Sequence, residues 1–141
     1  MVDRVRRPKK YEELMTNLKD SGSFETLKDV LVYAASLGLQ KNTREEFKET
    51  SEPINLHIFS GTFDVMVLNL IAIKESGDPR IMANERSDDR VKIFEQYACG
   101  GLGVIDNHFQ GSGDIVETLT GLIMQVEAKK NTLDEIVGLA N

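Results

Sequence analysis

Apolar and polar positions along this chain alternate with a helical period over most of its length. Tyr11, Leu14, Met15 and Leu18 recur at three and four residues within "PKKYEELMTNLKDSG", the spacing of one buried helical face. Pro8 suits the first position of that helix, where its missing N–H is not needed, and Gly22 suits its stop. A second stripe, Leu27, Val30, Leu31, Ala34 and Leu37, predicts a helix capped by Ser23 and ended by Gly38. The polar stretch "QKNTREEFKETSEP" reads as a loop.

The period then changes. In "INLHIF", Ile54, Leu56 and Ile58 alternate with Asn55, His57 and Phe59, which predicts a short strand with Pro53 at its edge. A lone strand leaves its backbone groups unpaired. Its partner is therefore either the N-terminal segment, where "DRVRR" has some strand character, or a second copy of the chain. "GTFDVMVLNLIAIKESG" is apolar nearly all round, as expected of a central helix surrounded by others and stopped by Gly77. "DPRIMANE" fits one further turn. A long helix is predicted over "SDDRVKIFEQYACGGLGVIDNHF", capped by Ser87 or Asp88. Asp114 with Glu117 and Thr132 with Glu135 mark the starts of two more helices. The resulting fold class is mainly α, a compact bundle of five or six helices with at most a short strand pair. Residues 1–10 form a basic N-terminal arm, and residues 11–141 a single helical domain of ordinary size.

Composition narrows the function classes. The longest apolar run, Val65 to Ile73, falls far short of the ~18 residues of a membrane span, so no membrane role is expected. The charged start is not a secretory signal, and a lone cysteine, Cys99, fits a cytoplasmic, reducing setting. Net charge is −6 over 141 residues. Five basic residues against Asp3 give the first ten residues +4, which leaves −10 for the rest. Such a basic arm on an acidic body suits either phosphate or an acidic protein surface. No aromatic residue interleaves Arg4, Arg6, Arg7, Lys9 and Lys10, so phosphate contact is expected from them and base stacking is not.

The glycines of "EQYACGGLGVIDNHFQGSGD" pose the sharpest choice between chemistry and packing. A phosphate-binding loop places glycines between a strand and a helix N-terminus. Here a helical pattern precedes them, and neither GxGxxG nor GxxxxGK[ST] is present. No Lys or Arg stands between Lys92 and Lys129 to balance a phosphate. Val91, Phe94, Ala98, Leu102, Ile105 and Phe109 continue the helical register through the glycines. Each glycine weakens a helix by up to ~1 kcal/mol, so close packing must compensate. Ala98, Gly100, Gly101 and Gly103 are the helix-packing candidates, Gly100 and Gly103 alternatively marking a kink. His57 and His108 are far apart and no second cysteine exists, so no metal site is expected. Cys99 has no neighbouring base to activate it. Catalytic residues and cofactors are accordingly expected to be none, and the protein is expected not to be an enzyme.

The phrases "DRVRRPKKYEELMTNLKDSG", "FETLKDVLVYAASLGL", "EPINLHIF", "IKESGDPRIM" and "RVKIFEQYACGGLGVID" resemble the family of dnd-system-associated protein four. These small proteins accompany DNA phosphorothioation gene clusters. A fainter resemblance is to DndE, a small helical subunit of the same systems, at Leu18 and Lys19 and at Gly100 or Gly101. That family forms oligomers that bind DNA, particularly nicked duplex. The resemblance implies a non-enzymatic accessory subunit of a phosphorothioation-linked modification or restriction (phage defence) system. Arg4, Arg6, Arg7, Lys9, Lys10 and Lys19 would be its DNA-facing residues. The implied partners are DNA, other proteins of the same system, and further copies of the chain. The acidic body and the extra C-terminal helices depart from the DndE pattern and favour an adaptor with no nucleic-acid contact as the alternative.

Overall fold

A computed structural model describes residues 2–109 and Gly121. The chain divides into two compact units, Met1–Asp106 and Asn107–Asn141. The described elements run β1 (Arg4–Pro8), α1 (Glu12–Asp20), α2 (Leu27–Gln40), β2 (Thr50–Asn55), α3 (Thr62–Ser76) and α4 (Ser87–Phe109), with short 3-10 turns between several of them. Among the described residues there are four α-helices, not five or six. The helices expected after Asp114 and after Thr132 lie outside the described residues. The core gathers Val5, Met15, Leu18, Val30, Leu31, Ala34, Ile71, Phe94, Leu102 and Ile105, all essentially inaccessible.

The N-terminal segment is the strand's partner. β1 and β2 run antiparallel, pairing Arg4 with Asn55, Val5 with Ile54, Arg7 with Ser51 and Pro8 with Thr50. Arg6 alone therefore spans Glu52 and Pro53, a bulge at the residue whose nitrogen has no hydrogen to donate. β2 lies four residues earlier than the alternation over Ile54–Phe59 suggests, and Leu56–Ile58 form a 3-10 turn. The local pattern misleads because Pro53 suits a strand edge, whereas the bulge accommodates it inside the pairing.

Helix boundaries differ for similar reasons. Pro8 closes β1 and does not open α1. Thr26, not Ser23, caps α2, its hydroxyl accepting from the Asp29 N–H at 3.1 Å. α2 runs through Gly38 to Gln40, and beyond its cap Lys41 the chain turns at Asn42, which takes the left-handed conformation, φ 52°, tolerated by Asn better than by most residues. Gly38 does not end its helix because its task is contact: a Cβ there would meet the Tyr97 carbonyl oxygen and lie 3.1 Å from the Gly101 nitrogen. α3 keeps its expected span to the Gly77 stop, φ 66°. Only its side bearing Asp64, Val67, Leu68, Ile71 and Ala72 is buried, so α3 is not the central helix surrounded by others that its composition predicts.

Candidate functional site

The basic segment is built into the fold. At the β bulge the Arg6 N–H has no ladder partner, and it donates to Glu95 Oε2 at 2.6 Å. The Arg6 guanidinium donates to Glu95 Oε1 from Nε (3.1 Å) and from its terminal nitrogen (3.0 Å). Glu95 projects from α4 and its side chain is 4% exposed. A carboxylate that far from water needs charge-assisted partners, and one residue supplies three of them. The Arg6 Cζ lies over the Phe47 ring, 5.2 Å from its centroid, within cation–π range. Arg7 is buried, its Nε donating to the Glu52 carbonyl at 2.7 Å. Lys10 pairs with Glu45. Arg4 is exposed beside Asp3, and Lys9 and Lys19 are exposed with no ion pair among the described residues. Six cations that form one set in the sequence thus separate into three held by the fold and three exposed, of which Arg4 has only its neighbour Asp3 at 4.0 Å.

Small residues on α4 meet backbone. A Cβ on Gly101 would overlap the Ala34 carbonyl, and one on Gly100 the Thr43 carbonyl. At Gly103 it would stand 2.9 Å from the Tyr11 hydroxyl. Ala98 is buried among the core residues of the same helix. α2 and α4 therefore approach through Gly38 and Gly101, where side chains are missing on both sides. Around this contact Arg44 bridges Gln96 and Glu75, and the Tyr97 hydroxyl donates to Glu75 Oε2 at 2.5 Å. Burial, and then the Glu75 carboxylate, push the Tyr97 phenol above its ordinary pKa.

Little here favours nucleophilic chemistry. Cys99 is buried, and burial pushes its thiol up to about 11, with Lys10 acting weakly the other way. A reactive thiol needs the opposite shift. No group of three His, Cys, Asp or Glu side chains that could hold a metal ion stands among the described residues. A cleft of about 420 Å³ runs between β1 and the start of α4, but it mixes Arg4, Arg6 and Lys92 with Asp3, Asp88, Asp89 and Glu95 and so has no dominant sign.

The residues that sequence reasoning missed are on α3. Phe63, Met66, Leu70 and Ile73 are 62%, 47%, 53% and 38% exposed. Their spacing of three, four and three places them on one face. Ile58, Val65 and Met82 are also exposed. The signal is present as two interleaved stripes, one of which the fold buries. Nothing local tells which stripe is inside. The charged member of the buried side, Asp64, accepts from Lys28 of α2 at 2.6 Å. That hydrogen bond holds Lys28 above its ordinary pKa against the opposing effect of desolvation. The pair lies on the buried side of α3, and the other face is open to solvent.

The family model for DNA sulphur modification system-associated protein 4 matches residues 4–140. The chain belongs to this family. No curated protein and no solved structure matches it. For this system-associated family member, no described helix is long and apolar enough to cross a membrane.

Proposed function

We propose that the protein is a non-enzymatic accessory subunit of a DNA sulphur modification system, acting by docking another protein of that system on α3. The observation that carries this reading is the exposed stripe of Phe63, Met66, Leu70 and Ile73. Contiguous apolar surface of this kind marks interaction sites in soluble proteins, and aromatic and Met side chains are enriched at interface cores. The engagement of Arg6, Arg7 and Lys10 within the fold weighs against a DNA-backbone role for the N-terminal segment. Each cation withheld removes one phosphate contact and its share of the salt dependence.

Mixing the purified protein with the other purified proteins of its system and following co-elution tests the reading. Co-elution unaffected by nuclease, and lost in Met66→Glu and Leu70→Glu, is the expected result. Co-elution that survives both substitutions sinks the docking surface. A second reading, contact with intact or nicked duplex, draws on Arg4, Lys9 and Lys19, the three exposed candidates with no partner from elsewhere in the fold among the described residues. A titration comparing wild type with the triple Gln variant at these positions decides it. Self-association through the same α3 face is read from light scattering, with Leu70→Glu as the control.

A further inference from the structure

We propose that residues 41–49 form an ionic strap across α4, which lifts as a unit while the rest of the first unit stays folded. The strap is independent of the docking face on α3. From Lys41 to Glu49 no residue is fully buried, Phe47 being half-buried against Arg6. The strap's attachments are otherwise polar and are distributed along its whole length. The Thr43 N–H donates to the Gly38 carbonyl at 2.8 Å, and the Glu45 N–H to the Gln96 carbonyl at 3.0 Å. Arg44 binds Gln96 and Glu75. The Glu45 carboxylate takes Lys10 and, at 3.4 Å, the Tyr11 hydroxyl. Phe47 lies under Arg6, and the Glu49 carbonyl accepts from the Lys9 N–H at 3.0 Å.

Both ends of the strap are fixed, one at the last turn of α2 and the other at the start of β2. Between them the Thr43 carbonyl rests on Gly100, and Glu45 Oε2 lies 3.7 Å from where a Cβ on Gly103 would sit. Cys99 is buried on the same stretch of α4, where it feels the charge of Lys10, the partner of Glu45. Exposed and half-exposed ion pairs contribute little each and are screened by salt. Segments with few buried apolar contacts open at lower free energy than the core. High ionic strength therefore weakens the strap selectively. It leaves the apolar contacts of Val30, Leu31 and Ile71 intact. Opening frees Lys10 and Arg44 from their carboxylates and bares the strip of α4 that contains Cys99.

Amide exchange and thiol labelling on the full chain test this. Between about 0.05 and about 0.5 M salt, exchange at the Thr43 and Glu45 amides should rise at least about tenfold, with core amides of α2 and α3 unchanged. Labelling of Cys99 should rise in parallel. Arg44→Gln should reproduce both effects at low salt. If either readout follows the core amides at both salt concentrations and in the variant, the proposal is overturned.

Discussion

α3 and α4 are both helices rich in small or apolar residues, and the fold treats them in opposite ways. α4 carries three glycines in four positions and is closed: backbone of α2 and of the 41–49 segment lies directly on Gly101 and Gly100. α3 carries a nearly unbroken apolar run and is half open, with Phe63 the most exposed of its large side chains. Residue size thus decides how close a neighbour can come, whereas hydrophobicity alone does not say whether one is there. A missing Cβ is informative because only an approaching backbone makes the loss of helix propensity worthwhile. An apolar side chain is compatible with a core and with a docking face alike.

The contrast breaks most sharply at Gly101. Replacement by alanine sets a methyl group against the Ala34 carbonyl, and backbone cannot swing aside as a side chain does. A loss of about 3 kcal/mol is expected, the upper end for overpacking, despite a gain of up to ~1 kcal/mol in helix propensity. Chemical denaturation checks it, with Gly22→Ala as the comparison. Gly22 has nothing within 4 Å and φ 83°, so only backbone strain of about 1 kcal/mol is expected there.

Glu95→Gln comes next. It leaves the Arg6 N–H and guanidinium without their carboxylate. Arg6 is 46% exposed at its side chain, so water recovers part of the loss. About 2 kcal/mol is expected, below the figure for a fully buried pair, again by denaturation. Wild-type stability in this variant would mean that the bulge holds β1 unaided.

On the open helix the effect on stability reverses in size. Met66→Glu and Leu70→Glu should change stability by no more than about 0.5 kcal/mol while abolishing co-elution with the partner. Strong destabilisation by either would make α3 a core helix after all. Alkaline pH gives a smaller, graded test of the closed side. An unfolded Cys99 thiol ionises near 9, whereas the folded one keeps its proton to about 11. Rising pH over that window therefore favours the unfolded chain, and stability should fall. Tyr33 and Tyr97, both shifted upward by burial, add to the fall above their ordinary value of 10. Urea midpoints against pH should lose part of this slope in Cys99→Ala.

Much of the fold was legible because periodicity reports local geometry. The stripes of α1 and α2, the Gly22 and Gly77 stops and the span of α4 follow from residues within a few turns of one another. The site was less legible. Arg6, Arg7 and Lys10 resemble Arg4, Lys9 and Lys19 as letters, and they differ only in whether Glu95, the Glu52 carbonyl or Glu45 stands beside them.

By itself the sequence determined a mainly helical chain, a strand needing a partner, and a helix whose side chains are missing where another backbone must pass. Tertiary structure decided that Pro53 sits inside the pairing, that Gly38 continues its helix, that three of the six candidate cations are engaged by the fold and that α3 keeps one apolar face open. The physical reason is range. Helical period and glycine preference act over a few residues, but charge pairing and burial depend on groups up to 89 positions apart, as Arg6 and Glu95 are, and only the folded chain brings these together.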